Sequence, residues 1–460
     1  MTPERTTSDG PLVGVRVLDL SAVFAAPYMG ALLSDLGAEV IKIEPPARLD
    51  QTRGGGFGPY LDNDPGTDGW NWSGTFHSLN RGKKSLVLDL KQEDGRAILR
   101  DLVANADILL ENFTPRVMRG WSMSYPDLAQ LNPRLIMLSN TGYGSTGPWS
   151  AFKAQGTTLE ATMGLTFYTG YDGAEPRKTG QSYPDFIAAW TGLTAIMSAV
   201  LAQWRTGRGR WIDLGMYELG GTLLPEALIA AQAGAPITAR TGNRELGTRL
   251  SGVYPCRERE DWLAIGIADD AMLAAAGNLI DGLPPRIAGT EDAERADAAV
   301  AAWARSTSAD EAAEQLQAAG VAAAAVADVP RLLRDPQYIE RGFFEWTQFR
   351  GQSRPVIGRP YNWHGRHTVR IRGRGPLFGE HSDALLTELG VSPQRIAELR
   401  EKAVVVDVPL GVSMRPANLD ALIAGGVFRG LDTEYRETIE EAARQSLVAE
   451  RATEAQGGPR

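Results

Sequence analysis

Asp185 stands at the head of an uncharged run, a place where a carboxylate could do chemistry. It follows Pro184, and nineteen residues without a charge separate it from Arg205. Such a run, closed by Thr206-Gly207-Arg208-Gly209, predicts an apolar helix that stops at the glycine. A carboxylate at the helix N-terminus meets the positive end of the peptide dipoles. That favours the ionised form, which is the nucleophilic one. Other reactive types are scarce. Cys256 is the only cysteine, so neither a disulfide framework nor a cysteine zinc site is expected. The four histidines, His77, His364, His367 and His381, do not suggest a metal cluster.

Three blander readings fit the same stretch. Its length approaches that of a transmembrane span, although Thr191, Thr194, Ser198 and Gln203 interrupt it and no second span accompanies it. It could be an ordinary core helix with Asp185 as a cap, the commonest meaning of such a pattern. It could also open with a Pro-Asp turn of no chemical interest.

The 460 residues exceed one small core, so two or three domains are expected. With 43% hydrophobic and 22% charged residues the composition is that of a globular protein, and the polar MTPERTTSDG start lacks a signal core, which predicts a cytoplasmic protein. A net charge of −9 argues against a general nucleic-acid binder but leaves room for a local anion pocket.

The elements that must position Asp185 alternate in type. Val15 to Leu20, Glu39 to Ile43, Ser85 to Leu90, Asp107 to Glu111, Leu135 to Ser139 and Trp211 to Met216 read as strands. Pro27 to Leu36, Glu93 to Ala104 and Glu218 to Ala233 read as helices, the last with a kink at Pro225. The long polar stretch 45–78 reads as a surface excursion near a site. This alternation predicts an α/β fold, a Rossmann-like parallel sheet covered on both faces. The large domain is placed at 11–225 and completed by about 377–410. A smaller α+β domain is placed at 245–345, with a loop over Gly242 to Gly252, a strand at Trp262 to Ile267, and Ala-rich helix from 290 returning as a strand. Residues 346–376 read as a connector, Glu380 to Lys402 as helix, and 411–460 as an extension whose last twenty residues fray. Gly142-Tyr-Gly144-Ser-Thr-Gly147 satisfies a dinucleotide pattern, but it leads into Pro148-Trp149-Ser150 rather than a helix, so a turn is expected there.

Several ordered segments carry a resemblance: GVRVLDLSAVFAAPYMGALLSDLGAEVIKIEPP, LNRGKKSLVLDLK, ADILLENFTPRVM, NPRLIMLSNTGYGSTGP, YPDF followed by RTGRG, and PLFGEHSDALLTELG. Over about residues 11 to 405 the chain resembles the class III CoA-transferase family, which includes formyl-CoA:oxalate and crotonobetainyl-CoA:carnitine transferases. The resemblance implies that Asp185 is the nucleophile. It implies a CoA site lined by Phe24, Ala25, Leu88, Lys91, Asn112, Phe113 and Lys153, with Arg119 one position from the usual basic residue. It further implies a Rossmann-like large domain with a small domain, and two chains interlocked as a homodimer. An acyl-CoA and a carboxylic acid would be the partners, with CoA as substrate and no permanently bound cofactor or metal. Holding CoA phosphates needs Lys, Arg or backbone amides, and six of the seven lysines lie before residue 180. The chain departs from the family pattern at Ala26, Pro45 and Arg116, and its glycine-run lid is reduced to Gly247 and Gly252.

Two alternatives accompany this reading. The racemases of the same family pair a histidine with an aspartate, and here the corresponding positions are Gln155-Gly156-Thr157. Exchange of an α-proton needs a base on each face, and no obvious second one is present. A noncatalytic acyl-CoA binding protein is the other.

Overall fold

A computed structural model describes residues 10–54, 56, 60–180, 183–235, 240–363, 369–428, 430 and 432–455, with side chains as far as 449. The chain divides into two compact units. Unit 1 takes in residues up to 163, 180–223 and 333–460; unit 2 takes in 164–179 and 224–332.

Unit 1 is built on six strands: β1 (Arg16–Asp19), β2 (Glu39–Glu44), β3 (Lys84–Val87), β4 (Ile108–Glu111), β5 (Ile136–Thr141) and β6 (Arg210–Gly215). They lie in the order β3-β2-β1-β4-β5-β6 with every pairing parallel. The strand order reverses direction between β1 and β4, and in open α/β sheets ligands bind beyond the carboxyl ends of strands at such a point. The strands are rich in Val, Ile and Leu because both faces are covered. On one face Leu18, Ile41, Leu109 and Met137 pack with Leu99, Leu102, Leu386 and Leu399. On the other Val17, Val40, Leu110 and Leu138 pack with Met29, Leu32, Leu193 and Ile196. Each large side chain so buried stabilises the fold by roughly 1.5–3 kcal/mol.

The Ala25–Asp35 and Tyr183–Thr206 helices supply that second face. The long helix buries Ala188, Ala189, Leu193, Ile196 and Val200, so the sequence reading of a helix is correct. It is not buried all round, however, for Phe186, Leu201 and Trp204 are 36, 52 and 43% exposed. By length and composition it could cross a membrane, yet its other face packs on the sheet. It ends where expected, at Gly207 with φ +71°, whose amide bonds the Gln203 carbonyl at 2.8 Å. Gly209 has no room for a side chain, since a Cβ there would stand 1.9 Å from the Leu135 carbonyl oxygen.

The C-terminal part completes unit 1. The His381 amide bonds the Ser85 carbonyl (3.1 Å) and the Val87 amide bonds Ser382 Oγ (3.2 Å), which closes the free edge of β3. The expected single helix over 380–402 is two, Ser382–Glu388 and Pro393–Glu401, because Gly390 (φ +86°) and Pro393 interrupt it.

Three other expectations need correction. The connector 346–376 contains a hairpin, β10 (Phe344–Phe349) with β11 (Gln352–Ile357), and belongs to unit 1. The expected fraying of the last twenty residues is corrected as far as Ala455, for a helix runs from Tyr435 to Ala455, with Arg436 meeting Asp62 at 2.6 Å; residues 456–460 lie outside the described residues. The small unit begins at Leu224, not 245, and ends at Leu332; it also takes in 164–179, where the Gly242 amide bonds the Gly170 carbonyl.

Unit 2 carries an antiparallel sheet, β7 (Leu250–Pro255), β8 (Trp262–Ile267) and β9 (Ala322–Ala325), in the order β7-β8-β9. Alternation sends Leu263, Ile265 and Ile267 inward against Val300, Ala312 and Leu316. Gly252 lies within β7, so the expected loop over Gly242 to Gly252 is shorter than predicted. The Ala-rich stretch is two helices, Thr290–Ala304 and Ala309–Ala318, the second opened by a Ser308–Glu311 capping box.

Candidate active site

Asp185 stands in the first turn of the long helix, partly buried beside the start of the Ala25–Asp35 helix. The Ala25 amide donates a hydrogen bond to its carboxylate, and so does its own amide. Two helix N-termini thus face one carboxylate. Burial nevertheless outweighs both bonds, with a smaller push from the Glu160 charge, and the Asp185 pKa is raised to about 6. The expectation that the helix N-terminus favours the ionised form meets a larger opposing effect, desolvation. Asp185 remains mostly ionised above neutrality.

The loop that delivers Ala25 is held from two sides. Asn112, just past β4, clasps Ala22: its Nδ2 donates to the Ala22 carbonyl (2.8 Å) and its Oδ1 accepts from the Ala22 amide (3.1 Å). Asp50, from the polar excursion, accepts from the Val23 amide at 3.2 Å. Val23 has φ +74°, a costly conformation for a β-branched residue, imposed by these anchors. Phe24 follows and packs edge-on against Phe186 (6.4 Å), which also meets Tyr28 (5.2 Å).

Beneath the helix lies a buried ionic frame. Lys83 Nζ donates to Asp19 (2.6 Å), the Pro27 carbonyl (2.7 Å) and Asn80 (2.8 Å). Burial pushes the Asp19 carboxyl up, but Lys83 and Lys42 outweigh it and hold it below the usual range. Arg53 grips Glu44 through two bonds, and Arg81 pairs with Asp35.

The remaining predicted site residues lie along the carboxyl ends of the strands. Leu88 follows β3 and is fully buried, so its side chain is core and only its backbone could meet a ligand. Lys91 is exposed in the next turn. Phe113 is half-buried against Trp121 at 5.5 Å. Arg119 is in the Pro115–Gly120 helix, its Nε on the Pro115 carbonyl (3.2 Å). Lys153 is exposed between β5 and the Gly156–Thr162 helix. The structure therefore sets the Ala25 amide on Asp185 and Phe24 against the adjoining Phe186, makes Asn112 a brace for their loop, and leaves Lys91, Arg119 and Lys153 on separate exposed segments.

Two buried carboxylates escaped the sequence reading. Glu160 is 0% exposed in the Gly156–Thr162 helix, which packs against the long helix. It is the one charged residue between Lys153 and Asp172, a signal that was available. Glu111, at the end of β4, lies on the opposite face of the sheet. Burial raises its pKa to about 7 although Ser139 and the Phe113 amide (2.8 Å) bond it. Gly142 to Gly147 forms turns, as expected, and its Ser145 amide is taken by the Asp213 carboxylate at 2.9 Å.

The histidines bear on the racemase alternative. His77 Nε2 bonds the Asn71 carbonyl (2.7 Å) and its ring lies against Phe349, while burial lowers its pKa to about 4. His381 Nδ1 accepts from the Ser85 amide at 3.2 Å. His364 and His367 lie outside the described residues.

Residues 12–382 match the model of CoA-transferase family III. The chain belongs to that family. This class III CoA-transferase is 33% identical over 411 residues to succinyl-CoA–D-citramalate CoA-transferase of Chloroflexus aurantiacus, covering 86% of this chain and 98% of the relative. It is 34% identical over 389 residues to acetyl-CoA:oxalate CoA-transferase of Acetobacter aceti, covering 82% and 96%. A crystal structure of a CaiB/BaiF family protein from Brucella suis superposes with a TM-score of 0.74 at 29% identity, covering 83% of this chain and 100% of that one. The transferase moves CoA between an acyl-CoA and a carboxylic acid, the activity its relatives share by name.

Proposed function

We propose that this transferase works through Asp185 as covalent nucleophile. The carboxylate attacks the thioester carbonyl, forming a carbon–oxygen bond and expelling CoA as thiolate; the product is a mixed anhydride. The thiolate then attacks the aspartyl carbonyl of that anhydride, releasing the donor acid and leaving an aspartyl-CoA thioester. The acceptor carboxylate attacks this thioester, and CoA thiolate returns to the acyl group so formed while Asp185 is regenerated. CoA enters as substrate. The observation that carries the reading is the Asp185 carboxylate itself: partly buried, held by the Ala25 amide, and raised in basicity yet ionised at neutral pH.

The relatives' substrates define the panel to test: succinyl-CoA and acetyl-CoA as donors, D-citramalate, oxalate, L-malate and glutarate as acceptors. CoA esters are followed by mass spectrometry. Asp185→Ala is expected to lower transfer by about a thousandfold or more while leaving CoA binding largely intact. Near-normal turnover in that variant would remove the assignment. Incubation with a 2-methylacyl-CoA in deuterium oxide without acceptor is expected to leave the α-carbon unlabelled, and enzyme-dependent labelling with inversion would favour the racemase.

We also infer an interlocked homodimer. The family resemblance implies it, and the exposed apolar side chains of the long helix, Leu201 and Trp204 among them, give it a surface to cover. Light scattering reads the outcome: a mass twice 49.6 kDa supports it, a monomer at all concentrations does not.

A further inference from the structure

The family match stops at residue 382, yet the chain beyond the Pro393–Glu401 helix lies back over the polar excursion, the segment that supplies Asp50 to the site loop. The Leu410 amide bonds the Pro46 carbonyl at 2.8 Å, where the excursion begins. Asn63 makes two bonds with Ala417: its Nδ2 donates to the carbonyl (2.8 Å) and its Oδ1 accepts from the amide (2.9 Å). Asp62 accepts from the Tyr435 hydroxyl and from Arg436 at 2.6 Å. The Tyr60 hydroxyl donates to the Met414 sulfur at 3.2 Å, and a Cβ on Gly69 would stand 3.0 Å from the Met414 Cβ. The far end is itself held: the Tyr435–Ala455 helix buries Thr438 and Ala442 and packs on the Pro336–Glu340 helix and β11.

The two residues gripped by polar bonds have an uncommon backbone. Asp62 and Asn63 have φ +56° and +54°. Asp and Asn tolerate the left-handed region better than most side chains, but they visit it as single residues rather than in succession. Such a turn persists where its surroundings over-determine it and relaxes when they are removed.

We infer that the C-terminal extension is a strap that keeps the excursion in this conformation and so helps to keep the Ala25 amide on Asp185. The link to turnover rests on Asp185 being the nucleophile; the strap itself does not. Next to Gly69 is Trp70, whose carbonyl accepts from Arg53 at 3.0 Å. Arg53 ends the short turn headed by Asp50, whose carboxylate takes the Thr52 amide (3.0 Å) and the Val23 amide (3.2 Å). Val23 is two residues from Ala25 and is left-handed in its turn, with φ +74°. A chain of contacts transmits a change only where an element has a second arrangement, and the Asp62-Asn63 turn is that element. Arg350 donates to the Asp64 and Pro65 carbonyls, both at 3.0 Å, and is a second clamp on the excursion, so loss of the strap frees it in part.

The test uses the full chain with Met414→Ala, Tyr435→Phe and Arg436→Ala together, which removes the side-chain grip and leaves the sequence of the excursion unchanged. Amide hydrogen exchange read by mass spectrometry should quicken about tenfold or more in peptides covering 60–72, with β1, β4 and β5 exchanging as in the native chain. With the better donor of succinyl-CoA and acetyl-CoA, the turnover rate should fall about three- to tenfold and KM change less than about twofold, because Ala25 is less firmly placed. If the combined variant does not fold, Arg436→Ala alone, a change at an exposed side chain, is read by the same exchange and turnover with smaller shifts in the same directions. Unchanged exchange at 60–72 in the folded variant would overturn the strap. So would exchange quickened equally in the sheet, since general stability is then what was lost. Quickened exchange at 60–72 with native turnover would overturn the link to the site. Thiol release that persists in Asp185→Asn would instead remove the nucleophile assignment and leave the exchange result standing, so the failures are distinct.

Discussion

Two groups of buried charge lie around the Ala25–Asp35 helix, and they are built on opposite rules. Below it, Asp19, Asp50, Glu44 and Asp35 each meet a Lys or Arg at 2.6 to 3.2 Å. Beside its N-terminus, the Asp185 carboxylate accepts from the Ala25 amide and its own, and among the described residues no Lys or Arg acts on it. Breaking a buried ion pair strands a charge, so the first group makes the loop and helix hard to move. A carboxylate with no cation costs stability and keeps its reactivity. Under the proposed mechanism the first set is scaffold and Asp185 does the chemistry.

The largest effect should come from breaking the frame. Lys83→Met leaves Asp19 buried without its main partner and is expected to cost about 3–5 kcal/mol in denaturant unfolding. A loss below about 1 kcal/mol would mean that the network does not hold the helix. Asp185→Asn should act with the opposite sign. An Asp with a folded pKa near 6 binds its proton more tightly folded than unfolded, so its contribution is unfavourable at neutral pH and vanishes below about pH 4. The variant should therefore gain about 1–3 kcal/mol at pH 7.5, with the gain shrinking as pH falls through 6. An unchanged or lowered unfolding midpoint at pH 7.5 would contradict the burial argument.

Asn112→Ala removes both bonds to Ala22 and is expected to cost about 1 kcal/mol while lowering the turnover rate more than it raises KM, since Ala25 is then less firmly placed. A pure KM effect would make Asn112 a ligand contact instead of a brace. The smallest change is expected at exposed Lys153. Lys153→Ala should raise KM for the acyl-CoA about two- to fivefold, less at high salt, with stability untouched. No change in KM at low salt would remove it from the binding surface.

How much of this could be read beforehand depended on how local the signal was. The Glu93–Ala104 helix and the Trp262–Ile267 strand match their predicted bounds because a clear period of one kind runs through each. The β10–β11 hairpin did not announce itself. Its turn is Arg350-Gly351 with φ +48° and +72°, and Arg350 is held there by bonds to the Asp64 and Pro65 carbonyls nearly three hundred residues away. Pro355 within β11 further hid the strand. At the site, the helix was legible from its apolar run, whereas Asp185, Phe24 and Ala25 were singled out by the resemblance. The clasp of Asn112 on Ala22, ninety residues apart, was not, nor was the burial of Glu160. Both depend on which strand ends become neighbours. The direction of the Asp185 shift was also beyond the sequence, because the dipole is a local effect and burial is not.

The central claim, a covalent bond to Asp185, is tested most directly by trapping. The enzyme is incubated with succinyl-CoA and hydroxylamine, digested, and the peptide containing Asp185 is examined by mass spectrometry. An aspartyl hydroxamate at Asp185, formed only with the donor and accompanied by loss of activity, is the predicted result. An active enzyme that turns over succinyl-CoA in the same mixture, with an unmodified Asp185 peptide, would contradict it.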